Sequence, residues 1–216
     1  MSSLRVRYQT FEYGDVDIHL RTLRDRQQFD DEDGVAESLG VSPASWPLFG
    51  VVWDSSAILS HLMSDYDISG KRILEVGCGI GLSSLVLNQR HADITATDYN
   101  PEAGVFLEEN VRLNQGRVIP FIRTSWGDLD TGIGEFDRII GSDLLYEPDH
   151  VELLSGFIQQ HASTSGTVIL VDPGRGLSAS FSRKMIKYGY DYRHEAIRTV
   201  DYLAKPFNGH LLTFQR

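Results

Sequence analysis

The stretch Ile73-Leu-Glu-Val-Gly-Cys-Gly-Ile-Gly81 constrains this chain more than any other. An apolar run of strand type breaks into glycines at alternate positions, with an acid, Glu75, inside the run just before them. Bare backbone at Gly77 and Gly79 lets the chain turn tightly and lets a ligand reach main chain without meeting a Cβ. Gly81 suits close packing of the following helix on the strand. The spacing argues against two common phosphate loops. A dinucleotide fingerprint, G-x-G-x-x-G, wants its third glycine at position 82, which is leucine. A Walker loop would close on Gly-Lys-Ser/Thr, and none follows. A carboxylate at Glu75 would repel a pyrophosphate but attract a ligand bearing an ammonium group.

From Gly70 onward the pattern is regular. Apolar runs at 73–76, 94–97, 118–122, 136–140 and 167–171 read as strands. Between them, Gly81–Arg90, Pro101–Asn114, Asp149 to about His161 and Ser178 to about Tyr188 read as helices. Such alternation predicts an α/β fold, a sheet covered by helices on both faces in three α-β-α layers. Alternating segments around 192–200 and 210–214, joined by Lys205-Pro-Phe-Asn-Gly209, predict an antiparallel pair that closes the sheet. Near the start, residues 8–23 alternate around Gly14-Asp15 and predict a hairpin. The run Asp30-Asp-Glu-Asp33-Gly34 reads as a solvated, mobile loop or, alternatively, as a contact for a basic partner. Residues 45–56 gather two tryptophans and a phenylalanine ahead of a periodic segment, Ala57–Met63. With no repeat or linker, 1–216 reads as a single domain, an amino-terminal extension over 1–50 leading into a core over 51–216.

Composition narrows the partners. A formal charge of -10 makes nucleic acid a weak default partner. One cysteine excludes an internal disulfide framework and fits a reducing compartment. The opening residues have no apolar signal-type core, and no run reaches about 18 apolar residues. The expectation is a soluble, cytoplasmic protein with no membrane partner. None of the seven histidines falls at metal-ligand spacing with cysteine or acids, so no metal is expected. The lack of a G-x-S-x-G segment argues against a covalent hydrolase.

Two acids carry the next step. Asp98 closes the second strand, where a carboxylate at a sheet edge can accept hydrogen bonds from ribose hydroxyls. The competing reading makes it a cap for the helix beginning near Pro101. Asp143 and Tyr146 follow the fourth strand, outside its carboxyl end, where ligands bind in open α/β sheets. An acid and a phenol there can orient an amine by charge and hydrogen bonding. Their competing reading is a helix cap and a packed tyrosine.

Strand, glycines, acid, second strand and second acid together resemble the class I, seven-strand S-adenosylmethionine-dependent methyltransferases. The resemblance implies a Rossmann-like sheet in the order 3-2-1-4-5-7-6 and S-adenosyl-L-methionine as cofactor. It implies that Glu75 faces the methionyl end, that Gly77, Cys78 and Gly79 give backbone contacts, that Asp98 holds the ribose hydroxyls and that Tyr99 packs near adenine. Within that class, Trp53-Asp-Ser-Ser56, Ser125-Trp-Gly-Asp128 and Asp143-Leu-Leu-Tyr146 resemble methyltransferase family 16. These are protein-lysine methyltransferases, with relatives acting on histidine. This implies that Trp53 walls the methionyl part, Trp126 packs near adenine, Ser142 lies beside the cofactor, and Asp143 and Tyr146 border an entering lysine. The group more often has proline where Asp54 stands.

Enzymes that methylate adenine N6 would want Asn/Asp-Pro-Pro-Tyr/Phe after the fourth strand, and this chain lacks it. The segment Leu170-Val-Asp-Pro-Gly-Arg175 resembles the branch acting on the beta subunit of electron transfer flavoprotein. Arg175 either binds a substrate carboxylate or pairs with a helix acid. The expected activity is methyl transfer to an amine, foremost a lysine of a protein substrate. A small-molecule acceptor under a lid made from residues 24–50 is the alternative, and a cofactor-binding protein without turnover the third class. The sequence carries no sign of oligomeric state.

Overall fold

The computed structural model describes residues 4–129, 131–198 and 200–216. The opening Met1-Ser2-Ser3, and Thr199 within the expected segment 192–200, lie outside them. A hairpin forms first: β1 (Val6–Tyr13) pairs antiparallel with β2 (Val16–Leu23) through a tight turn with Gly14 at φ 62°. The main sheet holds β3 (Arg72–Val76), β4 (Asp93–Asp98), β5 (Phe121–Arg123), β6 (Phe136–Ser142), β7 (Ala162–Asp172), β8 (Asp191–Ile197) and β9 (Gly209–Gln215). Its order is β5-β4-β3-β6-β7-β9-β8. Counted from β3, that is 3-2-1-4-5-7-6. Five strands are parallel, and β9 runs antiparallel to both β7 and β8.

Strand alternation divides the core into two. Ile73, Ile169 and Val171 face α2 (Asp54–Asp65), α3 (Leu82–Gln89), α4 (Pro101–Leu113) and the hairpin. Their neighbours Leu74, Val76, Val168 and Leu170 face α5 (His150–His161) and α6 (Ser178–Lys187). A side-chain period of two turns one continuous apolar run into the filling of both layers. In the extension, a one-turn helix α1 (Val35–Ser38) and a 3-10 helix over Trp46–Gly50 follow the hairpin. The hairpin docks on α4 by main chain. Asn110 accepts from Arg21 N–H (2.7 Å) and donates to its carbonyl (3.2 Å). One turn on, Asn114 does the same for His19 (2.7 and 2.6 Å). Two carboxamides at i, i+4 spacing take the place of a third strand.

Three local expectations change. The third core strand starts at Phe121, not Val118, which is 87% exposed. Pro120 has no N–H to give the ladder, although its carbonyl accepts from Ala96 N–H at 2.9 Å. Strand β7 begins five residues before the expected Thr167: Ala162 pairs with Phe136, a register shift separates that pair from Arg138–Thr167, and Arg216 Nε donates to Ser163 O at 3.1 Å. The acidic run is not wholly solvated loop, since the Asp31 carboxylate accepts from the N–H groups of Ala36 and Glu37, both at 2.8 Å, and seats α1.

Candidate active site

A cavity of about 540 Å³ opens over the carboxyl ends of β3, β4 and β6. Its floor is the glycine turn between β3 and α3, and its outer wall is the segment Gly40–Trp53 of the extension. The turn needs glycine for a specific reason. Gly79 lies at φ 56°, and a Cβ there would stand 2.9 Å from the main-chain oxygen of Phe49. The outer wall therefore rests directly on bare backbone. Gly81 also serves packing, but against α4 rather than the strand: a Cβ would meet Leu107 Cδ1 at 2.5 Å.

Asp98 ends β4 beside this turn and lines the cavity. Its Oδ2 accepts from Gly79 N–H and its Oδ1 from Asn100 N–H, both at 2.8 Å. The helix-cap reading of Asp98 gives way to Asn100, whose side chain accepts from Glu102 N–H and caps α4. Burial pushes the Asp98 carboxyl above its ordinary range, against the main-chain hydrogen bonds that lower it.

Glu75 departs from the expectation. It does not line the cavity but lies buried behind the turn, where its Oε2 accepts from Ser84 N–H at 2.9 Å and from the Ser84 hydroxyl. Because β3 alternates, Glu75 points into the layer that α3 covers, where its carboxyl oxygen accepts at the amino end of that helix. Burial raises its carboxyl to about 7, opposed by the Ser84 bonds. Cys78 is buried in the turn and lines the cavity, its thiol pushed well up by burial and by the charges of Asp98 and Glu75.

Aromatic side chains flank the pocket. Tyr99 donates its hydroxyl to Leu39 O and ties the extension across the β4 side. Trp53 donates from Nε1 to Leu48 O at 3.0 Å, with the Arg26 guanidinium 4.1 Å from its ring centre. Trp126 is presented by a turn that Asp128 holds, accepting from the Thr124 hydroxyl (2.9 Å) and Ser125 N–H (2.8 Å).

The far wall comes from the loop after β6. Ser142, Asp143 and Tyr146 all line the cavity, and Tyr146 stands at its mouth, 50% exposed. Asp143 is no helix cap: its N–H donates to Val171 O at 3.0 Å and its carboxylate is gripped by Arg175. Of the two readings of Arg175, pairing holds, with a loop acid rather than a helix acid as its partner. His150 is part of the same wall. It turns into the cavity wall, donates from Nδ1 to Leu144 O at 2.8 Å, and sets its ring edge-on to Tyr146 and Trp126 at 4.4 and 5.1 Å. With Glu147 and Thr124, it belongs to the wall that sequence reasoning missed. Only the aromatic–His spacing 146–150, one helical turn, hinted at it.

The arrangement fits an adenosyl ligand with an amino-acid tail. Main chain is bare at the turn, the Asp98 carboxylate lines the cavity as an acceptor, indole and phenol rings provide flat apolar walls, and the volume lies within the ~300–1,000 Å³ of small-molecule sites. No other Lys or Arg lines this cavity among the described residues besides Arg175, which leaves little to hold a phosphate.

Comparison with known proteins points the same way. A family model described as lysine methyltransferase matches residues 47–182. The electron transfer flavoprotein beta subunit lysine methyltransferase of Mus musculus is 30% identical over 190 residues, covering 86% of this chain and 68% of the mouse protein. Protein N-lysine methyltransferase METTL21A of Danio rerio is 35% identical over 137 residues, covering 58% of this chain and 62% of its own. Among solved structures, P. horikoshii TYW2 in complex with MeSAdo superposes with a TM-score of 0.64 at 18% identity, covering 99% of this chain and 72% of that one. At that identity the likeness shows the fold.

Proposed function

The chain belongs to the lysine methyltransferase family, and on that premise we propose that its acceptor is the side-chain amine of a lysine in a protein substrate. It is an S-adenosylmethionine-dependent N-methyltransferase. One observation carries the choice of acceptor: Tyr146 is half exposed where the cavity meets the exterior, with Asp143 in the same wall, so a long side chain of another protein can reach in from outside. The relatives support a protein acceptor, for their names specify lysine and, in a Dictyostelium discoideum relative, histidine.

S-adenosylmethionine supplies a methyl group already activated by its sulfonium sulfur, which leaves alignment and electrostatics to the protein. Main chain at Gly77–Gly79 and the Asp98 carboxylate would hold the nucleoside side, with Tyr99 and Trp126 against the base. Trp53 and Ser142 would border the methionyl part. Tyr146, its phenol kept protonated well past neutral pH by burial, can accept from an incoming amine and orient its lone pair. Glu75 acts one layer back, by fixing the helix that the glycine turn feeds.

Radiolabelled S-adenosylmethionine, pure protein and an extract of the source organism lacking this gene test the reading. A labelled protein band that is lost with Asp143→Ala is expected. Label confined to the small-molecule fraction would favour the small-acceptor alternative, and calorimetric cofactor binding with no label anywhere would favour a protein without turnover.

A further inference from the structure

Asp143 and Arg175 lie far apart in the chain and meet at one wall of the cavity. Arg175 donates from Nε to Oδ1 at 2.7 Å and from Nη2 to Oδ2 at 2.9 Å, the forked geometry that makes guanidinium–carboxylate pairs directional. Main chain fixes both partners. Asp143 sits at φ 55° with its N–H bonded to Val171 O. Arg175 stands between two glycines at positive φ, in a turn that Asp172 holds by accepting from Gly174 N–H at 3.1 Å. The Asp143 side chain is only 10% exposed and that of Arg175 44%. Within the pair, the cation is the more exposed partner.

We propose that Arg175 is a positioning residue for methyl transfer: by locking onto Asp143 it presents a neutral ion pair fronted by a cation, and so admits the acceptor amine as the free base. The proposal rests on the amine reading given above. A lysine amine in water keeps its proton up to pH ~10.4, and the protonated form has no lone pair to give. A neighbouring cation and partial burial both favour loss of that proton, whereas an unpaired carboxylate would favour keeping it.

The other charged groups around the pair do not cancel this effect. From the loop after β6, Tyr146 stays neutral at working pH, and Glu147 is exposed and screened by water. From α5, His150 gives its Nδ1 proton to Leu144 O. From β7, burial raises the Asp172 carboxyl and so weakens its negative field, with His210 of β9 beside it. From β4, Asp98 is tied to the glycine turn. Arg175 itself is held charged by Asp143. In the transfer, the nitrogen lone pair forms the N–C bond as the C–S bond breaks with its electrons going to sulfur. The positive charge passes to nitrogen, which afterwards releases a proton to solvent.

The test compares calorimetric affinities for S-adenosylmethionine, which carries the sulfonium charge, and S-adenosylhomocysteine, which does not. Unpairing Asp143 in Arg175→Gln is expected to raise preference for the charged ligand about tenfold. Arg175→Lys should keep most of the wild-type ratio, and Arg175→Gln with Asp143→Asn should return to it. With the labelled acceptor protein in hand, the rising limb of kcat against pH, which reports groups in the enzyme–substrate complex, should move up by about one unit in Arg175→Gln. An unchanged affinity ratio overturns the charge cancellation. A raised ratio with an unmoved limb overturns admission of the free base. Failure to label any protein sinks the lysine reading instead, and the affinity ratio still decides the role of Arg175.

Discussion

At the glycine side of the cavity Asp98 accepts from the main-chain N–H groups of Gly79 and Asn100, whereas at the opposite wall Asp143 accepts from a side chain, Arg175. The first acid is built into the backbone of two adjacent elements. The second depends on a long, partly exposed side chain arriving from the end of another strand. On the proposed reading, cofactor recognition is tied to the fold itself, while acceptor recognition rests on groups that can change without disturbing it. The relatives' names carry different acceptors, lysine in some and histidine in one.

The contrast can be broken at its strongest point by Gly79→Val. A β-branched residue at φ 56° is a steric outlier, and its Cβ would drive into Phe49 O. Calorimetry should show S-adenosylhomocysteine binding weakened by at least ~100-fold, a loss on the order of 3 kcal/mol. Binding within a few-fold of wild type would mean that the outer wall does not rest on the turn.

Next in size is Glu75→Gln. Its carboxyl, raised in the folded state from its ordinary range to about 7, contributes stability that is full below the unfolded value and lost as pH rises through about 7. Urea unfolding of the wild type at pH 5 and pH 8 should differ through this group by on the order of 3 kcal/mol, and the glutamine variant should lack that component. Equal slopes in both proteins would show that Glu75 titrates normally.

Asp98→Asn replaces an acceptor of two main-chain hydrogen bonds by a group with one acceptor oxygen. A tenfold or so loss in cofactor affinity is expected, together with a lower melting temperature. The smallest effect sharpens the other half of the comparison. Asp143→Asn should change unfolding free energy by about 1 kcal/mol or less, because its partner is partly exposed, while methylation of the acceptor falls sharply. A large drop in stability would place Asp143 in the fold rather than at the acceptor.

The same contrast explains what was legible in the sequence. Sheet, hairpin and helices follow from local periodicity, the strand order from the family resemblance, and the glycine turn with Asp98 lies within one strand–helix–strand unit, so its parts announce each other. Glu75 was legible as a special acid but not as a buried one facing α3: which face a residue takes in a run that is apolar on both faces depends on the covering layers. Arg175 stood out as a cation, yet its partner 32 residues earlier was fixed by the parallel pairing of β6 and β7, which no local pattern records. His150 escaped because its role comes from a carbonyl, Leu144 O, and a carbonyl has no letter in the sequence. Val118 misled because apolar character alone does not supply a ladder partner beside a proline.

Asn110 and Asn114 carry one more consequence. The amides of Arg21 and His19 have those carboxamides as partners, on a helix reached only after some ninety further residues of chain. Neither amide is protected unless the hairpin is seated on α4. Their exchange with deuterium therefore times the separation of the extension from the sheet, a motion that would carry Phe49 and Trp53 away from the cavity. Two amides become a clock for the opening of the site, readable in the ligand-free protein without any substrate.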